Sequence, residues 1–100
     1  MTLSGALKNS NVVVRETAID ALGSSQNPKA ADILYETATE DAKTRFPNAQ
    51  LQALLKQNNP ASDAKYLQLQ NELLAGQLGW RATASDFAGL EAFRLHGRAN

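Results

Sequence analysis

Leu3–Ala31 reads LSGALKNSNVVVRETAIDALGSSQNPKAA. Within it Val14, Ala18, Ala21 and Leu22 recur at the intervals that put side chains on one face of a helix. Arg15, Glu16 and Asp20 point elsewhere and are expected in water. Asn11 is placed to cap the first turn, its side-chain carbonyl accepting a free backbone N–H. Gly23 suits the helix end, where a positive φ costs glycine little. Ser24-Ser25-Gln26 makes a polar turn. Asn27-Pro28 then restarts a helix, with Asn as cap and Pro at the first helical position, where no N–H is needed. Two short helices joined by a tight turn pack antiparallel.

Working outward, the second helix is expected from Pro28 to about Ala42, with Ala30, Ala31, Leu34 and Ala38 as its packing face. Asp32, Glu36 and Glu40 are spaced four apart and form an acidic stripe. Pro47 interrupts the helical pattern, and Phe46 is expected to tuck into the core. The pattern then recurs. Ile19-Asp20-Ala21-Leu22 aligns with Leu51-Gln52-Ala53-Leu54, and the same offset sets Asn27-Pro28 on Asn59-Pro60. A shared offset of this kind marks an internal repeat. Pro47 falls on Arg15, so the first helix of the second copy must be shorter.

A fourth helix is expected from Pro60 to about Leu78. Ala64, Leu67, Leu74 and Leu78 share one face, and Tyr66, Leu69 and Leu73 an adjoining one. So wide an apolar arc implies neighbours on two sides. Gly76 falls inside this helix as a residue that lets another helix approach, and Gly79 stops it. Thr83-x-x-Asp86 has the form of a capping box for a last helix from Ala84 to about His96. Phe87, Leu90 and Phe93 form its apolar face. Trp80, Phe87 and Phe93 are expected to close one end of the core. Met1–Lys8, with Leu3, Ala6 and Leu7, reads equally as the end of a truncated repeat and as a frayed N-terminal helix.

Leu3, Ala6, Leu7, Val14, Arg15, Ala18, Ala21, Leu22 and Gly23 stand where the short HEAT-like repeats named after phycobilisome lyases place theirs. Those repeats run roughly Leu-x-x-Ala-Leu-x-Asp-x-Asp-Pro-x-Val-Arg-x-x-Ala-x-x-Ala-Leu-Gly. The chain resembles that family over residues 3–31, with a weaker second copy. It departs from the pattern at Asn9 and Asn11, where the family prefers Asp, at Val12, where it prefers Pro, and at Val13, where it is usually charged. The resemblance implies an all-α fold, a short α-solenoid of antiparallel helical hairpins with about five helices. It also implies that the second helices line a concave surface. A tetratricopeptide-like array would need a Trp-Leu-Gly-Tyr pattern that is not seen.

One hundred residues with 43% hydrophobic and 20% charged content make one small domain, residues 1–100, or a piece of a longer repeat array. Formal net charge is zero, which removes the bulk attraction behind nonspecific nucleic-acid or membrane-surface binding. No apolar run reaches membrane-span length and no signal peptide is present, so a cytoplasmic location is expected. The absence of cysteine rules out disulfide and thiol chemistry. His96 stands without metal-ligating company, no phosphate-binding glycine loop follows Gly76 or Gly79, and no catalytic constellation or cofactor signature is found. Three carboxylates on one helix are commoner on plain helix surfaces than at metals. The His-Glu pairs of HEAT-type iron enzymes and the basic concave faces of HEAT-like DNA glycosylases are both missing.

The expected function is a non-catalytic protein–protein interaction or scaffold module. Its partner, expected to be a basic protein, would bind the surface lined by the second helices, with no cofactor, nucleic acid or membrane involved. Asp32, Glu36 and Glu40 are the candidate contact residues, with Val13 and Trp80 as exposed apolar ones. The plainer reading of the acidic stripe is a solvated helix face. The alternatives are a structural end-cap or oligomerisation unit, with self-association, and an accessory subunit of a bilin-lyase-like enzyme.

Overall fold

Two Asn-Pro pairs set where the helices restart. The computed structural model describes residues 12–25 and 27–97. Asn27 sits in extended conformation, and its side chain accepts the Lys29 N–H at 2.9 Å. Asn59 does the same for the Ser62 N–H at 2.9 Å, and the Ser62 hydroxyl returns to the Asn59 backbone. In each case Pro occupies the first helical position, with φ already suited to the helix. The elements are α1 (Val12–Ser24), α2 (Pro28–Asp41), α3 (Asn48–Gln57), α4 (Pro60–Ala75) and α5 (Ala88–Ala92). A 3-10 turn (Ala84–Phe87) leads into α5 and a π turn (Phe93–Gly97) follows it. Among the described residues the fold is all-α, with five helices and no strand. The readings of Leu3, Ala6, Leu7 and the Asn11 cap lie outside the described residues.

α1 packs on α3, and α2 on α4. Cross-links give the direction of each pair. Arg15 and Gln50, near the starts of α1 and α3, both meet Asp41, while Asp20 meets Lys56 and the Leu22 carbonyl meets Gln57 farther along. α1 and α3 therefore run parallel. Asp32 with Lys65, and Tyr35 with Gln68 and Glu72, give α2 and α4 the same sense.

The core centres on α3 rather than on the α1–α2 hairpin. Leu51, Leu54 and Leu55 are all fully buried, beside Ala53. α3 touches α1, α2, α4 and α5. Around it lie Ala30, Ala31, Leu34 and Ala38 of α2, the packing face expected for that helix, and Tyr66, Leu69 and Leu73 of α4. Phe46 is half-buried and meets the Phe87 ring edge-on, centroids 5.3 Å apart. Tyr66 also meets that ring edge-on, centroids 6.4 Å apart.

Several expectations are corrected. α1 buries Ala18, Ile19 and Leu22, while Val14 is only half-buried and Ala21 is exposed. α3 lies against the flank of Ile19, and burying that larger side chain removes more apolar area than burying Ala21 would. Gly23 is helical, not a left-handed stop. A Cβ there would come within 3.0 Å of the Ala53 backbone, so this glycine permits the α1–α3 approach. Gly76 is the left-handed cap of α4 (φ 73°), its N–H turned back to Glu72 and Leu73, so α4 ends before Leu78. Gly79 also has a positive φ, and its missing side chain leaves room for Ala42 and Lys43. There the Trp80 N–H caps the end of α2 by donating to the Ala42 carbonyl at 2.6 Å. The last helix is broken. Asp86 accepts the Thr83 N–H at 2.8 Å, but only Phe87 and Leu90 reach the core. Phe93 and Trp80 are 44% and 41% exposed, so neither closes the end of the core.

Asp41 ties three elements together. Its carboxylate accepts from Arg15 at 2.6 Å, from Gln50 at 2.6 Å and from Arg45 at 3.2 Å. Burial by itself would raise its pKa. The Gln50 amide and the Arg15 and Arg45 guanidiniums outweigh that and hold it below 3.8.

This packing has two measurable consequences. Gly23→Ala gains helix propensity worth about 1 kcal/mol but overpacks the α1–α3 crossing by about 1–3 kcal/mol. Urea unfolding should show a net loss, and adding Ala53→Gly should recover part of it. For Asp41 the folded pKa is the lower one, so its stabilisation is full above the unfolded value and drains away as pH falls through the folded one. Asp41→Ala should cost about 2–3 kcal/mol at pH 7, since three donors lose their acceptor. The gap from wild type should narrow below about pH 4, as followed by denaturation at a series of pH values.

Candidate functional site

Three segments far apart in sequence enclose an open groove of about 840 Å³. α1 contributes one face, from Val13 through Glu16 to Asp20, spaced to lie along a single helical stripe. α3 contributes Ala49, Gln52, Ala53 and Lys56, and the α5 segment contributes Gly89, Leu90 and Phe93. The floor is apolar, formed by Ile19, Ala53 and Leu90, each 4% exposed, with half-buried Ala49 beside them. The lips are apolar too: Val13 is 71% exposed and Phe93 44%. On the rim, Lys56 pairs with Asp20 at 3.0 Å. Glu16 has no ion pair among the described residues, so the rim keeps one net negative charge.

Side chains on α4 hold the third wall. Glu91 accepts from Gln70 at 2.9 Å and from Arg94 at 2.6 Å. The Arg94 hydrogen bond, aided by Gln70, lowers the Glu91 pKa despite partial burial. Tyr66 lies fully buried below, its hydroxyl short of hydrogen-bond geometry with Glu91. Burial first, and the Glu91 charge second, push the phenol up to about 12, so it stays neutral. The Glu91 links place Leu90 and Phe93 against the groove from the side of α4.

The residues singled out from sequence are dispersed. Asp32, Glu36 and Glu40 are exposed along α2, in the other helical layer. Asp32 pairs with Lys65 at 3.5 Å and Glu40 with Lys43 at 2.9 Å. Glu36 has no ion pair among the described residues. Trp80 lies by the end of α2. Only Val13 belongs to the groove. Ile19, Ala49, Lys56, Leu90 and Phe93 escape sequence reasoning as site residues, because each reads singly as core or as solvated surface. Their joint role depends on α3 lying between α1 and α5.

Chemically, the groove offers apolar area with a polar border. Its ionisable groups are Glu16, Asp20 and Lys56, the last two paired to each other. Among the described residues no group of three or more His, Cys, Asp or Glu could hold a metal ion. No described helix is long and apolar enough to cross a membrane. Comparison with known protein families, curated proteins and solved structures finds no match.

If the lips are surface and the floor is core, substitution should separate them. Val13→Ser and Phe93→Ser should change unfolding stability by no more than about 0.5–1 kcal/mol. Leu90→Ala should cost about 2–4 kcal/mol. Chemical denaturation of the three variants checks this, and a large loss from Val13→Ser would count against the groove as a free surface.

Proposed function

We propose that the protein is a non-catalytic protein-binding module of α-solenoid type. Its groove between α1, α3 and α5 takes a short apolar segment of a basic partner. The observation that carries this reading is the groove itself, with a buried apolar floor and exposed apolar lips, Val13 and Phe93. Such lips gain by being covered, since burial of apolar surface stabilises by about 25 cal/mol per Å². Glu16 on the rim, which has no ion pair among the described residues, favours a Lys or Arg beside the apolar anchors.

Three features support the solenoid arrangement. Two helical hairpins stack first helix on first and second on second, in parallel. Both second helices restart at an Asn-Pro pair. Residues 3–31 resemble a HEAT-like repeat. The α2 stripe is the weaker candidate surface, because Lys65 and Lys43 already answer two of its three carboxylates.

Selection of random peptides displayed on phage tests the binding reading. Selected sequences should carry two or three apolar residues with a nearby Lys or Arg. Amide shift changes in titration should map to Val13, Gln52 and Phe93. The double variant Val13→Arg, Gln52→Arg should lose binding about tenfold or more while keeping its circular dichroism spectrum. Shifts mapping to Asp32, Glu36 and Glu40 would overturn the groove in favour of the acidic face.

A further inference from the structure

α4 has contacts on three of its sides. Tyr66, Leu69 and Leu73 enter the core, Lys65 and Glu72 meet α2, and Gln70 meets Glu91 of α5. The fourth side holds Ala64, Leu67, Asn71 and Leu74, all exposed or half-exposed, with Leu67 and Leu74 at 45% and 37%. At about 100° per residue this stripe is centred about 150° from the buried one. Its spacing of three, four and three residues is that of an a/d seam, with Ala64 and Asn71 at a and Leu67 and Leu74 at d.

We infer that this seam is a self-association surface and that its partner is the α4 of a second copy, parallel and in register. One feature selects a second copy over an unrelated protein, and two more let like copies meet. Asn71 sits amid the apolar seam, and an identical amide facing it supplies both a donor and an acceptor, the pairing that fixes register in two-stranded coiled coils. The neighbouring positions Ala61, Gln68, Ala75 and Gln70 are uncharged, and Asp63 lies near Arg94 of its own chain, so like copies meet without strong repulsion. Formal net charge is zero, so no long-range field holds copies apart. The pair is weak: sixteen helical residues span about 24 Å, short for a standard interface of roughly 800 Å² per partner. This surface is separate from the groove and does not depend on its role.

Sedimentation of the full chain between about 1 µM and about 1 mM tests the inference. Wild type should pass reversibly from monomer to dimer across that range. Leu67→Glu with Leu74→Glu should raise the dissociation constant by about tenfold or more without changing helix content, since both side chains are exposed. Val13→Arg should leave dimerisation unchanged. The chain has no cysteine, so Leu74→Cys introduces a lone thiol. It should oxidise to a linked dimer, whereas Gln52→Cys in the groove should not. A wild type that stays monomeric throughout would overturn the inference. So would a dimer indifferent to the two glutamates, or equal cross-linking from Gln52→Cys.

Discussion

A ten-residue helix packed against four neighbours keeps only a strip in water, at Asn48, Gln52 and Lys56, and every other polar side chain on it must find a partner inside the fold. That constraint falls on α3. Gln50 and Gln57 are 1% and 2% exposed, so each needs a partner inside the fold. Gln50 donates to Asp41 at 2.6 Å. Gln57 donates to the Leu22 and Ser25 carbonyls at 3.2 and 3.0 Å. One end of α3 is thereby tied to the end of α2, and the other to the turn leaving α1. Between them Leu51, Leu54 and Leu55 each remove a side chain from water, worth roughly 1.5–3 kcal/mol apiece. The polar ends set where the helix sits, and the leucines supply the energy that holds it there.

The same constraint explains the close approach at Gly23. α1 runs parallel to α3, with Asp20 and Leu22 matched to Lys56 and Gln57, and with Arg15 and Gln50 sharing Asp41 of α2. That register brings Gly23 over Ala53, where there is no room for another carbon. Small residues at the crossing let the helices close, and the closure shields the floor of the groove. The groove follows from the fold, because α1 and α3 form two of its walls and the Glu91 contacts with α4 position the third.

Much of the fold is legible in the sequence where the signal is local. Asn27-Pro28 and Asn59-Pro60 mark helix starts because a cap and its helix are adjacent in the chain. The α2 face Ala30, Ala31, Leu34 and Ala38 is legible because its periodicity points one way. Periodicity fails where a helix has more than one neighbour. In α1 the choice between Ile19 and Ala21 depends on α3, and the exposed side of α4 looks like a second packing face. Gly76 and Gly23 exchange expected roles because a glycine's sequence position does not distinguish a positive φ from a tight crossing. The groove is not legible at all beyond Val13. It joins residues 13–20, 48–56 and 89–93, and no local pattern links them. Nor does the sequence show that Lys65 and Lys43 meet Asp32 and Glu40.

Native-state hydrogen exchange tests most directly whether α3 is the element on which the rest depends. Amides of residues 51–55 should be the last to exchange, at the free energy of global unfolding. α1 and α5 should open earlier by sub-global routes. If amides of α1 outlast those of α3, the fold is organised around its first hairpin instead, and Gln50, Gln57 and the three leucines do not hold its centre.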